Sequence, residues 1–150
     1  MAKMGDTRFY HPTAGKYIYL MAYTINEVLA LATERGLNPP EWKWKPLKTY
    51  NGFTHEQRVV GWQAMHLAIR MKLIEPASAY ACEICRATPP VTLQYHSEDY
   101  CNLAEHVLCQ HCHKLLHQRH RYPEKWCKLV TRYAKGDEWY ASLAMTGFNE

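Results

Sequence analysis

CEICRATPPVTLQYHSEDYCNLAEHVLCQHCHKLLH, residues 82–117, decides how this chain folds. Cys82 and Cys85 form one C-x2-C pair, and Cys109 and Cys112 form a second. Two residues between paired thiols let both sulfurs face one ion from a tight turn, and two such knuckles complete a tetrahedral four-thiolate zinc site. The zinc is expected to be structural, pinning the segment between the knuckles to the helix that begins at the second one, because metal binding is folding energy in small metal domains. Cys101 and Cys127 have no partner at ligand spacing and read as plain thiols.

Within the clamp, PVTLQYH reads as a strand and CHKLLH opens a helix on which His113 and His117, four residues apart, share a face. A strand packed antiparallel to its partner and across that helix brings His96 to the same two histidines. Three imidazoles suit a transition metal and leave coordination positions open for a phosphate oxygen and water. In the alternative, a helix histidine replaces a cysteine at the zinc and the second site vanishes; four well-spaced cysteines argue against it.

The segment from about Thr54 to His120 resembles the HNH, or His-Me finger, endonuclease family, in particular its zinc-stapled phage and bacterial branch. The motifs that carry the resemblance are LAIR before the first knuckle, YHSEDY at the strand end and LCQHCHKLLH at the helix start. It implies an α+β fold with a ββα-metal core stapled by the four-cysteine zinc site and flanked by helices. It also implies a metal-dependent DNA endonuclease that hydrolyses phosphodiester bonds, with His96, His113 and His117 holding a second divalent ion (Mg, Mn, Ni or Zn).

One position departs from the family pattern. The histidine that deprotonates the attacking water in the family falls on Ser97, whose hydroxyl does not titrate near neutrality. Glu98 or Asp99 could supply the base, or His111 or His106 could approach from the second knuckle, although Asp99 and Tyr100 match positions that order the loop in the family. Three readings stay open: an atypical nuclease with another base, an HNH-derived zinc module that binds nucleic acid or a protein partner without cutting, and an inactivating substitution at residue 97. A toxin or antiphage effector on the same fold is a further possibility.

The charge distribution fits a polyanionic partner or simply solvated basic helix faces, and the resemblance implies that such a partner is double-stranded DNA. The net charge is +4, and Cys109 to Lys135 holds Lys114, Arg119, Arg121, Lys125, Lys128, Arg132 and Lys135 against the single acid Glu124. Lys114, Arg119 and Arg121, on or just after the histidine helix, are candidates for flanking phosphates. Trp42, Lys43, Trp44 and Lys45 alternate aromatic with basic, a composition that suits base stacking with phosphate neutralisation, or else tryptophans tucked against a neighbouring helix.

No run approaches the roughly 18 apolar residues of a membrane helix, and YIYLMAY is not followed by a cleavage site. A cytoplasmic location with reduced thiols is the expectation. Residues 1–53 read as an irregular lead-in with a short strand over 16–23, a helix from Thr24 to Gly36 and a Trp/Lys-rich linker. Residues 54–121 read as the zinc-binding domain with its leading helix, and residues 122–150 as a helical extension with Asp137 capping a last short helix.

Overall fold

Thr24 and Thr54 each start a helix in the way their spacing to Glu27 and Gln57 requires. In the computed structural model, which describes residues 3–11 and 16–145 with side chains from Tyr23 onward, both threonines accept from the backbone N–H three residues ahead while the Glu or Gln side chain reaches back. The helices are α1 (Ile25–Glu34) and α2 (His55–Arg70). Ile25, Val28 and Ala32 of α1 meet Ala64, Leu67 and Ala68 of α2, with Leu103 and Ala104 closing one hydrophobic core.

Before α1, β1 (Lys3–His11) pairs antiparallel with β2 (Lys16–Ala22). The expected strand is there, but the irregular lead-in ahead of it is its partner. Cross-strand backbone bonds need no side-chain period to announce them.

The segment between α1 and α2 is an irregular loop, as expected, but its end reaches the core. Tyr50 and Phe53 bridge around Asn51 and Gly52, whose φ values of 51° and 79° match the Asn-Gly turn that joins paired backbone most tightly. Tyr50 is 2% exposed, so this turn is packed into the molecule.

The knuckle region follows, with β3 (Leu93–His96) antiparallel to β4 (His106–Cys109) and α3 (Gln110–His117) directly after it. Cys109 is both the last residue of β4 and the N-cap of α3, its sulfur accepting from the Cys112 N–H. The first knuckle is stitched to the same strand, since the Glu83 N–H donates to the Val107 carbonyl at 2.9 Å. Helix α4 (Pro123–Tyr133) starts on its proline and buries Trp126. A second core forms around Tyr50, Ile84, Leu108, Leu116, Trp126 and Tyr140 with the buried cysteines.

The last short helix is only a 3-10 turn, Trp139–Ser142, and Asp137 does not cap it. Glu138 instead accepts from the backbone N–H groups of Lys135 and Gly136, closing the turn before it. The chain is thus a small mixed α/β protein of helices and two-stranded antiparallel sheets. Among the described residues no helix is long and apolar enough to cross a membrane.

Gly61 marks where α2 touches the knuckle region. A Cβ built there would lie 2.9 Å from Tyr100 Cδ1, and Tyr100 is held by Arg58 Nε at 3.2 Å and by the Phe53 ring. Gly61→Ala should therefore destabilise the protein by about 1–2 kcal/mol despite the better helix propensity of alanine, and become stabilising in a Tyr100→Ala background. Thermal denaturation of the two singles and the double mutant measures this; equal effects of Gly61→Ala in both backgrounds would remove the contact from the explanation.

Candidate metal centres and their clefts

Cys82, Cys85, Cys109 and Cys112 converge so that their sulfurs lie within 4.8 Å of one another, and three of the four residues are buried. Cys85 and Cys109 sulfurs are 3.7 Å apart, far beyond a disulfide bond and close to the ~3.8 Å edge of a tetrahedron with metal–sulfur bonds of about 2.3 Å. The thiols of Cys82, Cys85 and Cys112 influence one another. Its hydrogen bond with Cys112 draws Cys82 down to about 5 and pushes Cys112 up, while burial pushes Cys85 up to about 11. Four sulfurs this close together, three of them on buried residues, fit a metal ion that displaces their protons.

The three histidines also meet. His96 Nδ1 lies 3.2 Å from His113 Nε2, and His117 Nε2 lies 3.1 Å from the same atom. The opposite nitrogen of His113 donates to Gln94 Oε1 at 2.8 Å, and the opposite nitrogen of His96 donates to the Glu98 carboxylate. His113 Nε2 is therefore left with one lone pair for two neighbours, more than hydrogen bonding can satisfy. Ring nitrogens this close match an edge of a metal polyhedron with bonds of about 2.0–2.1 Å, so the cluster could hold an ion. Burial, followed by the nearby His96 and Arg58 charges, lowers His113 to about 3, and burial lowers His96 and His117 as well. These shifts favour the neutral imidazole, the form in which a histidine could ligate a metal.

Behind His96 stands a chain of polar groups that sequence reasoning missed. Glu98 accepts from Tyr50 Oη at 2.6 Å and from Asn51 Nδ2 at 2.9 Å, and Tyr50 Oη accepts in turn from Arg119 Nη1 at 3.1 Å. Burial would raise the Glu98 carboxyl, but the hydrogen bonds from His96 and Tyr50 outweigh it and hold the group at about 2. No protein family profile matches this chain, and comparisons with curated proteins and with solved structures find no significant match.

Glu98 is spent on orienting His96 and has too low a pKa to be an effective base near neutrality. Asp99 faces the loop after β3, accepting from the Cys101 N–H at 2.8 Å and from Asn102 Nδ2. His106 pairs with Glu83 at 3.0 Å and stacks on Trp139, and His111 lies on the exposed side of α3, so neither joins the three histidines. Ser97 is buried beside His96 and lines the cleft.

Arg119 corrects an expectation. It is 1% exposed, with Nε on the Ala144 carbonyl and Nη1 on the Leu116 carbonyl and Tyr50, so its donors hold the fold together and do not face a phosphate. Arg121 and Lys45, by contrast, line a cleft of about 490 Å³ that His113 and His117 border. Lys114 lies away from both histidine clefts, in a groove between α3 and α4. Trp42 donates to the Lys45 carbonyl and packs edge-on against Trp62 of α2; Trp44 joins them but stays 63% exposed, and Lys43 is exposed.

The other histidine cleft, about 550 Å³, is lined by Trp42, Trp62, Met65, Ser97 and the three histidines. Two further residues there went unnoticed in the sequence. Arg58 lines both clefts, its guanidinium donating to Tyr100 Oη and the Lys48 carbonyl, and His66 faces the 550 Å³ cleft beside Trp62.

Glu98→Gln should weaken a divalent ion at the histidines by about 10–100-fold while leaving the cysteine site loaded. Metal competition titration reads this; unchanged affinity would show that the carboxylate does not tune His96.

Proposed function

We propose that the chain is a metal-dependent endonuclease acting on double-stranded DNA, with β3, β4 and α3 as an HNH-like ββα core and zinc in the four-cysteine cluster. The observation that carries this reading is the convergence of His96, His113 and His117 in a cleft bordered by Arg58. A divalent ion bound there would supply Lewis acidity to a phosphodiester and lower the pKa of a bound water. Gln94 and Glu98 fix the orientation of His113 and His96. Arg58 has donor capacity left to hold a phosphate oxygen at the edge of the site, and Lys45 and Arg121 attract the strand. Among the residues lining the 550 Å³ cleft, His66 is the one histidine outside the metal set, and partial desolvation lowers its pKa from the ordinary histidine value. It is the group we assign to accept the proton that Ser97 cannot.

A second reading has its own support, because residue 97 is not a base and Glu98 is engaged elsewhere: the chain binds DNA without cutting it. Nicking of supercoiled plasmid with Mg, Mn, Ni or Zn separates the two, using the natural chain, His66→Ala and Ser97→His. Cutting by the natural chain that falls at least about 100-fold in His66→Ala supports the enzyme and its base. Cutting by Ser97→His alone establishes the binder, and no cutting by any of them with the histidines loaded withdraws the nuclease.

A further inference from the structure

Four cations of the basic tract after the second knuckle do not run beside the histidines. Lys114, Lys125, Lys128 and Arg132 line one groove of about 810 Å³ between α3 and α4, which includes no carboxylate and neither His113 nor His117. None of these four forms an ion pair among the described residues. Three of them, Lys125, Lys128 and Arg132, recur three and four residues apart and so form one stripe along α4. That stripe is about 10 Å long, the axial length of about three nucleotides at about 3.4 Å each. Tyr122 and Tyr133 stand at its ends, with Lys125 Nζ 5.0 Å from the Tyr122 ring centre and the Arg132 guanidinium 5.2 Å from that of Tyr133.

We propose that this groove is a second nucleic-acid site, which takes one sugar-phosphate strand on a side of α3 away from the metal-binding histidines. Regular cations match the regular charge of a phosphodiester backbone, and the terminal tyrosines offer faces on which a base can stack. A zinc ion held by four thiolates would carry a formal charge of about −2 at the groove wall, which the four cations exceed. The site extends the nuclease reading in that it anchors nucleic acid apart from the scissile phosphate, but it needs no cleavage.

The test is fluorescence anisotropy with labelled duplex and single-stranded 20-mers and the full zinc-loaded chain, without added divalent metal, from 50 to 200 mM salt. The variant Lys125→Ala/Lys128→Ala/Arg132→Ala should bind either probe at least roughly tenfold more weakly and lose about 2–3 from the slope of log affinity against log salt. A charge-matched control, Arg35→Ala/Arg70→Ala/Lys72→Ala, removes exposed cations at the ends of α1 and α2 and should keep the natural slope. Equal effects of the two triples would overturn the site, and so would unchanged binding with a loss of zinc, which would make the cations partners of the thiolates. Binding of anionic vesicles with no binding of oligonucleotide would also overturn it. A chain that nicks no plasmid yet shows the expected slope change loses the nuclease reading and keeps the groove; the converse result does the opposite.

Discussion

Cys112→Ser is expected to unfold the lobe built around the cysteine cluster, with loss of the bound metal and of the near-ultraviolet signal of Trp126 and Trp139. Cys82, Cys109 and Cys112 are themselves part of the second core, and Cys109 also caps α3, so the cysteine cluster and the packing cannot fail separately. Binding of a structural zinc by small domains is worth about 10–16 kcal/mol at neutral pH, against a total domain stability of about 5–15 kcal/mol. With zinc in the cluster, that loss would exceed what the hydrophobic contacts alone can sustain. The core between α1 and α2 has its own buried residues, and its helical signal should melt separately. Elemental analysis of the natural chain should find zinc, and chelation at raised temperature should reproduce the mutant. A metal-free Cys112→Ser protein that melts within a few degrees of the natural one would show that the cluster is only four buried thiols.

His113→Ala is the second large effect, and it should leave the fold intact. His113 Nε2 is the atom that both other ring nitrogens approach, so its removal dismantles the three-histidine cluster while the cysteine site stays loaded. The bound-metal count should fall by one ion per chain, and any plasmid nicking should fall by at least about 100–1,000-fold. Ser97→His should act in the opposite direction, raising nicking by about 100–10,000-fold if it restores a positioned base. Equal metal content in the natural chain and His113→Ala would remove the second ion, and with it the proposed chemistry. A natural chain that holds two ions, cuts nothing and gains activity from Ser97→His would be a DNA-binding protein with an intact but silent site.

The roles of Glu98 and Arg119 show the limit of reading along the chain. Beside a missing histidine, Glu98 looks like a substitute base, and Arg119 after a metal-binding helix looks like a phosphate contact. Both are instead parts of one hydrogen-bonded chain, from Arg119 through Tyr50 to Glu98 and His96. Tyr50 lies 48 residues from Glu98 and 69 from Arg119, and its own surroundings of prolines and lysines look like a linker. Nothing in local composition reports that a loop tyrosine will be desolvated against a carboxylate.

The sequence by itself determined the two capped helices, the C-x2-C knuckles, the strand ending at His96 and the shared face of His113 and His117. Each of these depends on spacing, on residues two to four apart whose geometry is set by the backbone. Only the tertiary structure decided which charged side chains face solvent, that Glu98 is bound to the ring of His96, that His66 and Arg58 share the histidine cleft, and that Lys114 belongs to another groove. These depend on which surfaces lose water when distant segments pack, and burial sets both the pKa of a group and the partners left to it.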